Sequence, residues 1–363
     1  MSSSVPSFTT PQPFGQTHRG EATHLYCLTI ADRLTVVVSD FGGILTQIWV
    51  PDRTGHFDDV VLGFHELEPY ETVSPYFGAL IGRVGNRIAK GRFDLNNTTY
   101  AVATNNAPGG HPCHLHGGLE GFDKAVWKVG HYQPGGDEPL LVLHHRSSDG
   151  DEGYPGNLQV TVTYRLTPEG ALSIEYQAVT DATTLVNMTN HAYFNLAGES
   201  SGHVLDHELE IRAKAITAVD EGLIPTGELL EVAGTPFDFS TPKPIGQDIA
   251  QEDLQLRRAG GYDHNFVLEG DDGSLRQVAE AYEPGSGRVL ETYTTEPGMQ
   301  FYSGNFLDGS ILGKQGRPYE KHAGFCLETQ HFPDAPHHPE FPSIVLRPDE
   351  NYRSQTIYRF TTR

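Results

Sequence analysis

Between Leu158 and Ala178 the chain alternates apolar and polar residues on both sides of a tight turn. Leu158, Val160, Val162, Tyr164 and Leu166 share one parity. Thr167-Pro168-Glu169-Gly170 interrupts them, and Leu172, Ile174, Tyr176 and Ala178 resume the pattern. Successive side chains of a strand leave opposite faces, so this stretch is a hairpin with one face buried. A slip of one residue in register would turn the whole apolar set to solvent. Similar patterns predict strands at 34–38, 44–50, 140–144, 207–211 and 356–360. Long amphipathic helical patterns are missing, while 40 glycines and 24 prolines are spread evenly along the chain. Many short strands separated by Gly/Pro turns specify an all-β sandwich or barrel. With no fixed-period repeat, a propeller is disfavoured. No linker divides the chain after residue 21, so one large domain over 21–363 is expected. The Ser/Thr/Pro/Gln-rich stretch 1–20 is expected to be a disordered tail, and 133–138 and 268–275 to be surface loops.

Charge narrows the partners. The formal net charge is −22 over 363 residues. Nucleic acid, anionic membrane and phosphorylated substrates are repelled on average, which favours a neutral ligand. Cys27, Cys113 and Cys326 are too few, and odd in number, for a disulfide framework, and suit a reducing compartment. The N-terminal stretch lacks the apolar segment of a signal peptide, and no run is long enough to cross a bilayer. A cytoplasmic protein without a membrane partner is expected.

Chemistry is concentrated in a few stretches. Thr189-Asn190-His191-Ala192-Tyr193-Phe194-Asn195-Leu196 reads as a strand. Val186, Met188, Ala192 and Phe194 would face a core, and His191 and Tyr193 the opposite side. Alone, this is more simply a half-buried strand with a hydrogen-bonded histidine. Gly82-Arg83-Val84-Gly85-Asn86-Arg87-Ile88 offers two arginines, each either an ion-pair partner or a fork of donors for oxygen-rich ligands. His111-Pro112-Cys113-His114-Leu115-His116-Gly117-Gly118 tempts a metal reading, but its spacing matches no familiar zinc pattern. Its Gly-Gly pair suggests instead a sharp turn that points His116 into a cavity. Gly261-Tyr262-Asp263-His264-Asn265-Phe266 and Gln300-Phe301-Tyr302-Ser303-Gly304-Asn305-Phe306 mix aromatic rings with amide and acid groups, as a sugar site requires, although each residue alone is more simply an ordinary core aromatic or a hydrogen-bonded amide. In Phe325-Cys326-Leu327-Glu328-Thr329-Gln330, Glu328 would lie on a strand beside Cys326 and Gln330. A carboxylate in such apolar surroundings needs a partner, and its pKa is commonly displaced.

Taken together, the stretches at 82–88, 115–118, 189–196, 261–266, 298–306 and 327–343 resemble the aldose 1-epimerase (galactose mutarotase) family, in family order over nearly the whole chain from about residue 21. The sequence departs from the family pattern at Gly85, at His337 and at a short insertion over 109–112. The resemblance implies a single large β-sandwich, the supersandwich, with an open carbohydrate cleft. It implies that His191 is a general acid and Glu328 a general base. It further implies that Asn86, Arg87, His116, Asp263 and Gln300 hold the sugar, with Tyr193 near His191. The expected substrates are free monosaccharides such as glucose and galactose, converted without metal or other cofactor by a monomer or weak homodimer. Ordinary pKa values would place the active window between about 4.3 and about 6.5. A carboxylate next to His191 would raise the upper limit.

Overall fold

The computed structural model describes residues 5–270 and 273–363. Among these, the strands assemble into a nine-stranded sheet, two five-stranded sheets and several short two-stranded pairs. The hairpin forms as the alternation requires. Leu158–Thr167 pairs antiparallel with Ala171–Thr180, with Leu166 opposite Leu172, and Gly170 takes the positive φ of the turn. On one side of this hairpin lie Leu140–Ser147 and Lys128–Gln133. On the other lie Tyr352–Thr362, Arg288–Thr294, Arg276–Tyr282, Glu208–Ile211 and Lys243–Pro244, completing the large sheet.

The first small sheet runs Gln12–Gln16, Ala22–Ile30, Leu34–Ser39, Leu45–Pro51, Phe57–Asp59. Its first strand corrects the expectation of a disordered tail. Gln12 to Gln16 pair with Ala22 to Leu25, and Leu67 packs against Gly15. Polar composition did not reveal this because an edge strand needs only backbone partners. Residues 1–4 of that stretch, and 271–272 of the expected loop at 268–275, lie outside the described residues.

The second small sheet carries the chemistry. Its order is Pro225–Glu231, Ala213–Val219, Asp263–Leu268, Gly298–Tyr302, Cys326–Gln330. Asp263 lies opposite Tyr302, which lies opposite Cys326; Asn265 lies opposite Gln300, which lies opposite Glu328. The alternate residues Phe266, Met299, Phe301 and Leu327 turn the other way. They join one continuous apolar core with Tyr164, Ile174 and Tyr358 of the large sheet and Leu28, Val36 and Ile48 of the first. The period of two therefore divides this sheet into an apolar underside and a polar upper face. No helix among the described residues is long and apolar enough to cross a membrane.

Candidate active site

The polar face of that sheet floors an open cavity of about 330 Å³, a volume suited to a small ligand. Its wall includes Asn86, Arg87, His116, His191, Tyr193, Asp263 and Glu328. Residues more than 200 positions apart in sequence are thus brought together.

His191 arrives on a segment that is only briefly a regular strand. Thr189–Asn190 pairs with Leu80–Ile81. Beyond it the chain crosses between sheets, and Phe194 exchanges backbone hydrogen bonds with Phe325. The expected strand over 189–196 is therefore broken, but its sidedness survives. Val186, Met188, Ala192 and Phe194 enter the core. The rings of His191 and Tyr193 stack 5.0 Å apart at 9°. Tyr76 lies nearly parallel to His191 on its own account, at 5.9 Å and 15°. Glu328 meets His191 from strand Cys326–Gln330, with Oε1 3.7 Å from Nε2. Glu328 Oε2 is buried without a hydrogen-bond partner within the protein.

His116 is placed by strained backbone. Its φ is +51°, and Gly117 and Gly118 follow at +87° and +114°. A Cβ on Gly117 would fall 1.8 Å from the carbonyl oxygen of Gly82. Asn86, also at positive φ, donates its backbone N–H to His116 Nδ1 at 3.1 Å. It also accepts the His116 N–H at 3.0 Å. A backbone N–H can only donate, so the neutral ring carries its proton on Nε2. The ligand atoms of His116, His191 and Glu328 lie within 4.8 Å of one another. That tautomer leaves His116 no free lone pair for a cation, so the group fits a metal poorly. The metal reading of the 111–118 stretch also fails on geometry. His114 is held by the Tyr154 hydroxyl and the Ala103 carbonyl, and Cys113 by Asn106.

The arginines divide cleanly. Arg83 is fully buried and donates to Ser147 Oγ and to the carbonyls of Ser148, Pro155 and Gly156, a structural role. Arg87 turns into the cavity, 3.9 Å from Asp263. Gln300 donates from Nε2 to Asp263 Oδ1 at 2.7 Å. Buried on the same face as Glu328, it steadies Asp263. His337 is bound to Asp334 at 2.7 Å, apart from the cavity wall.

Burial sets the electrostatics. It lowers His191 to about 3, opposed by a contact with its own backbone carbonyl. It also raises Glu328 well above the ordinary carboxylate range, aided by Asp263 and opposed by Arg87. The expectation that a carboxylate would raise the histidine is overturned, because loss of water lowers His191 while Glu328, itself raised by burial, offers no charge to oppose it. Asp263 is raised by burial against the pull of Arg87 and Gln300. His116 is pushed well below its usual value by burial and then by His191 and Arg87. Both shifts favour the neutral pair, a carboxylic acid facing a neutral imidazole.

Every residue selected for the site lies on this wall except Gln300, which is buried beside Asp263 in the floor sheet. Several wall residues were not singled out: Pro75, Tyr76, Asn106, Ala107, Pro108 and Leu115. Tyr76 gives only a weak sequence signal, an aromatic next to proline. Its role depends on a positive φ of +66° that no pattern announces.

The aldose 1-epimerase family profile matches residues 24–359. A galactose mutarotase of Bos taurus is 48% identical over 91% of this chain and 92% of its own length. One of Sus scrofa is 46% identical over 96% and 97%. Among solved structures, an aldose epimerase homologue from C. elegans superimposes with a TM-score of 0.84 at 29% identity, covering 94% of this chain and 99% of that one. The cavity, the facing acid and imidazole, and this agreement along nearly the full length lead to one conclusion: the chain belongs to the aldose 1-epimerase family.

Proposed function

We propose that the protein is an aldose 1-epimerase that interconverts the α and β anomers of free hexoses, galactose and glucose among them. The observation that carries the reading is His191 Nε2 facing Glu328 Oε1 across 3.7 Å on the wall of a sugar-sized cavity. In the working state Glu328 is the carboxylate and His191 the imidazolium. Glu328 takes the proton of the anomeric hydroxyl, His191 gives its Nε2 proton to the ring oxygen, and the C1–O5 bond breaks. The products are the open aldehyde, a protonated Glu328 and a neutral His191. Rotation about C1–C2 turns the other carbonyl face, and the same transfers in reverse close the ring. The opposed pKa shifts serve this step. Burial makes the carboxylate a stronger base and the imidazolium a stronger acid than in water, and ring opening leaves the neutral pair that the site prefers. Arg87, Asp263, Asn86 and the Nε2–H of His116 offer donors and acceptors to hydroxyls, and Tyr193 and Tyr76 hold the imidazole plane.

A cytoplasmic location is supported by Cys27, Cys113 and Cys326, all buried and free. The decisive test is polarimetry on fresh α-glucose and α-galactose with and without protein. Faster change of optical rotation supports the assignment; rates equal to buffer for both sugars refute it.

A further inference from the structure

We propose that Cys326 is a positioning residue for His191: its sulfur accepts the Nδ1–H of the imidazole and so reserves Nε2 for proton exchange. This rests on the assignment of His191 to the reaction. Sγ of Cys326 lies 3.5 Å from Nδ1 of His191, and Oε1 of Glu328 lies 3.7 Å from Nε2. Cys326 and Glu328 are two apart on one buried strand and leave the same face. A single strand thus addresses both ring nitrogens, one with a sulfur and one with a carboxyl group.

The direction of the Nδ1 contact follows from proton counting. For Glu328 to pass its proton to His191, the neutral ring must carry a lone pair on Nε2, so its own proton must sit on Nδ1. The thiol stays neutral, because burial and then Glu328 and Asp263 raise its pKa. A neutral sulfur fixes the tautomer without adding a charge. A carboxylate at this position would also hold Nδ1–H but would stabilise the imidazolium and blunt its acidity. Around the ring the remaining titratable groups are Tyr193 on its own segment, Tyr76 and His116 on neighbouring loops, and Glu328 on the floor sheet. Arg87 and Asp263 act from farther off, through Glu328. Among these contacts, the sulfur is the side-chain atom within hydrogen-bonding reach of Nδ1. The two cavity histidines thereby hold opposite tautomers, Nε2–H in His116 and Nδ1–H in His191.

The experiment is ¹⁵N NMR of the histidine rings in the full-length protein, with His191→Asn to assign the signals, alongside steady-state mutarotation for wild type, Cys326→Ala and Cys326→Ser. In wild type, His191 should be neutral at pH 7 with Nδ1 protonated. Cys326→Ala should populate the Nε2–H form and lower kcat by about three- to tenfold at unchanged KM, the worth of one weak hydrogen bond. Cys326→Ser, whose hydroxyl also accepts, should keep the wild-type tautomer and stay within about threefold in kcat. A wild-type ring protonated on Nε2 alone overturns the proposal, and this readout stands even if the alanine variant does not fold. So does an alanine variant with wild-type kcat and unchanged ring signals. Absence of mutarotation in the wild type would instead defeat the activity assignment and leave the tautomer result intact.

Discussion

A carboxyl group buried beside an imidazole has consequences for rate and for stability. One proton shared by the pair is the working inventory. It is exceeded when His191 gains a second proton, near its lowered value of about 3. It is lost when Glu328 ionises, well above the ordinary carboxylate range. The kcat/KM profile should therefore be bell-shaped, with its acid limb near 3 and its alkaline limb, which belongs to Glu328, displaced well above the ordinary carboxylate range. A pH–rate series on galactose checks this; an alkaline limb near 4.5 would contradict it. Glu328→Gln and His191→Asn should each lower kcat by about 10²–10⁴-fold with the fold retained, as polarimetry and circular dichroism can show. Stability gives an independent readout. A carboxyl whose folded pKa is raised contributes stability that is present below its unfolded value and lost as pH rises through the folded value. Glu328→Gln removes that loss, so Tm at pH 8 should exceed wild type, by about 1–2 °C for each kcal/mol recovered, while the two proteins converge at pH 4. Equal Tm at both pH values would show that Glu328 carries no burial penalty.

The turns and strands that deliver these groups are as constrained as the groups themselves. Gly117 cannot accept a side chain, because its φ is +87° and the Gly82 carbonyl occupies the Cβ position. Gly117→Ala should displace His116, raise KM on both sugars, and cost more than about 1 kcal/mol in urea denaturation. Arg83 ties the strand Leu140–Ser147 to the loop ahead of Leu158–Thr167 through buried carbonyls. Arg83→Met strands those acceptors and should destabilise by about 3 kcal/mol or more. The protein that remains folded should bind sugar with unchanged KM. The contrast between these substitutions separates a residue that shapes the site from one that holds the frame.

Over the whole molecule, charge selects among sugars. The formal charge is −22, and the cavity wall offers the guanidinium of Arg87 already engaged with Asp263. Glucose 6-phosphate should therefore show a kcat/KM at least about tenfold below glucose, with the gap narrowing in high salt. Equal turnover of the two sugars would reveal a phosphate pocket. As for what was legible in advance, the hairpin at 158–180, the all-β class and the sidedness of His191 and Glu328 follow from a period of two, which is local and needs no partner. The family pattern added the identity of the site residues. Three-dimensional packing decided the rest. It paired Gln12–Gln16 with its neighbour, because backbone hydrogen bonds leave no mark in composition. It sent Arg83 inward and Arg87 to the cavity, because equivalent residue types are distinguished only by what surrounds them. It placed Tyr76 against His191 through a positive φ. It also reversed the sign of the histidine's pKa shift, because desolvation depends on how much protein covers the ring, and no sequence pattern measures that.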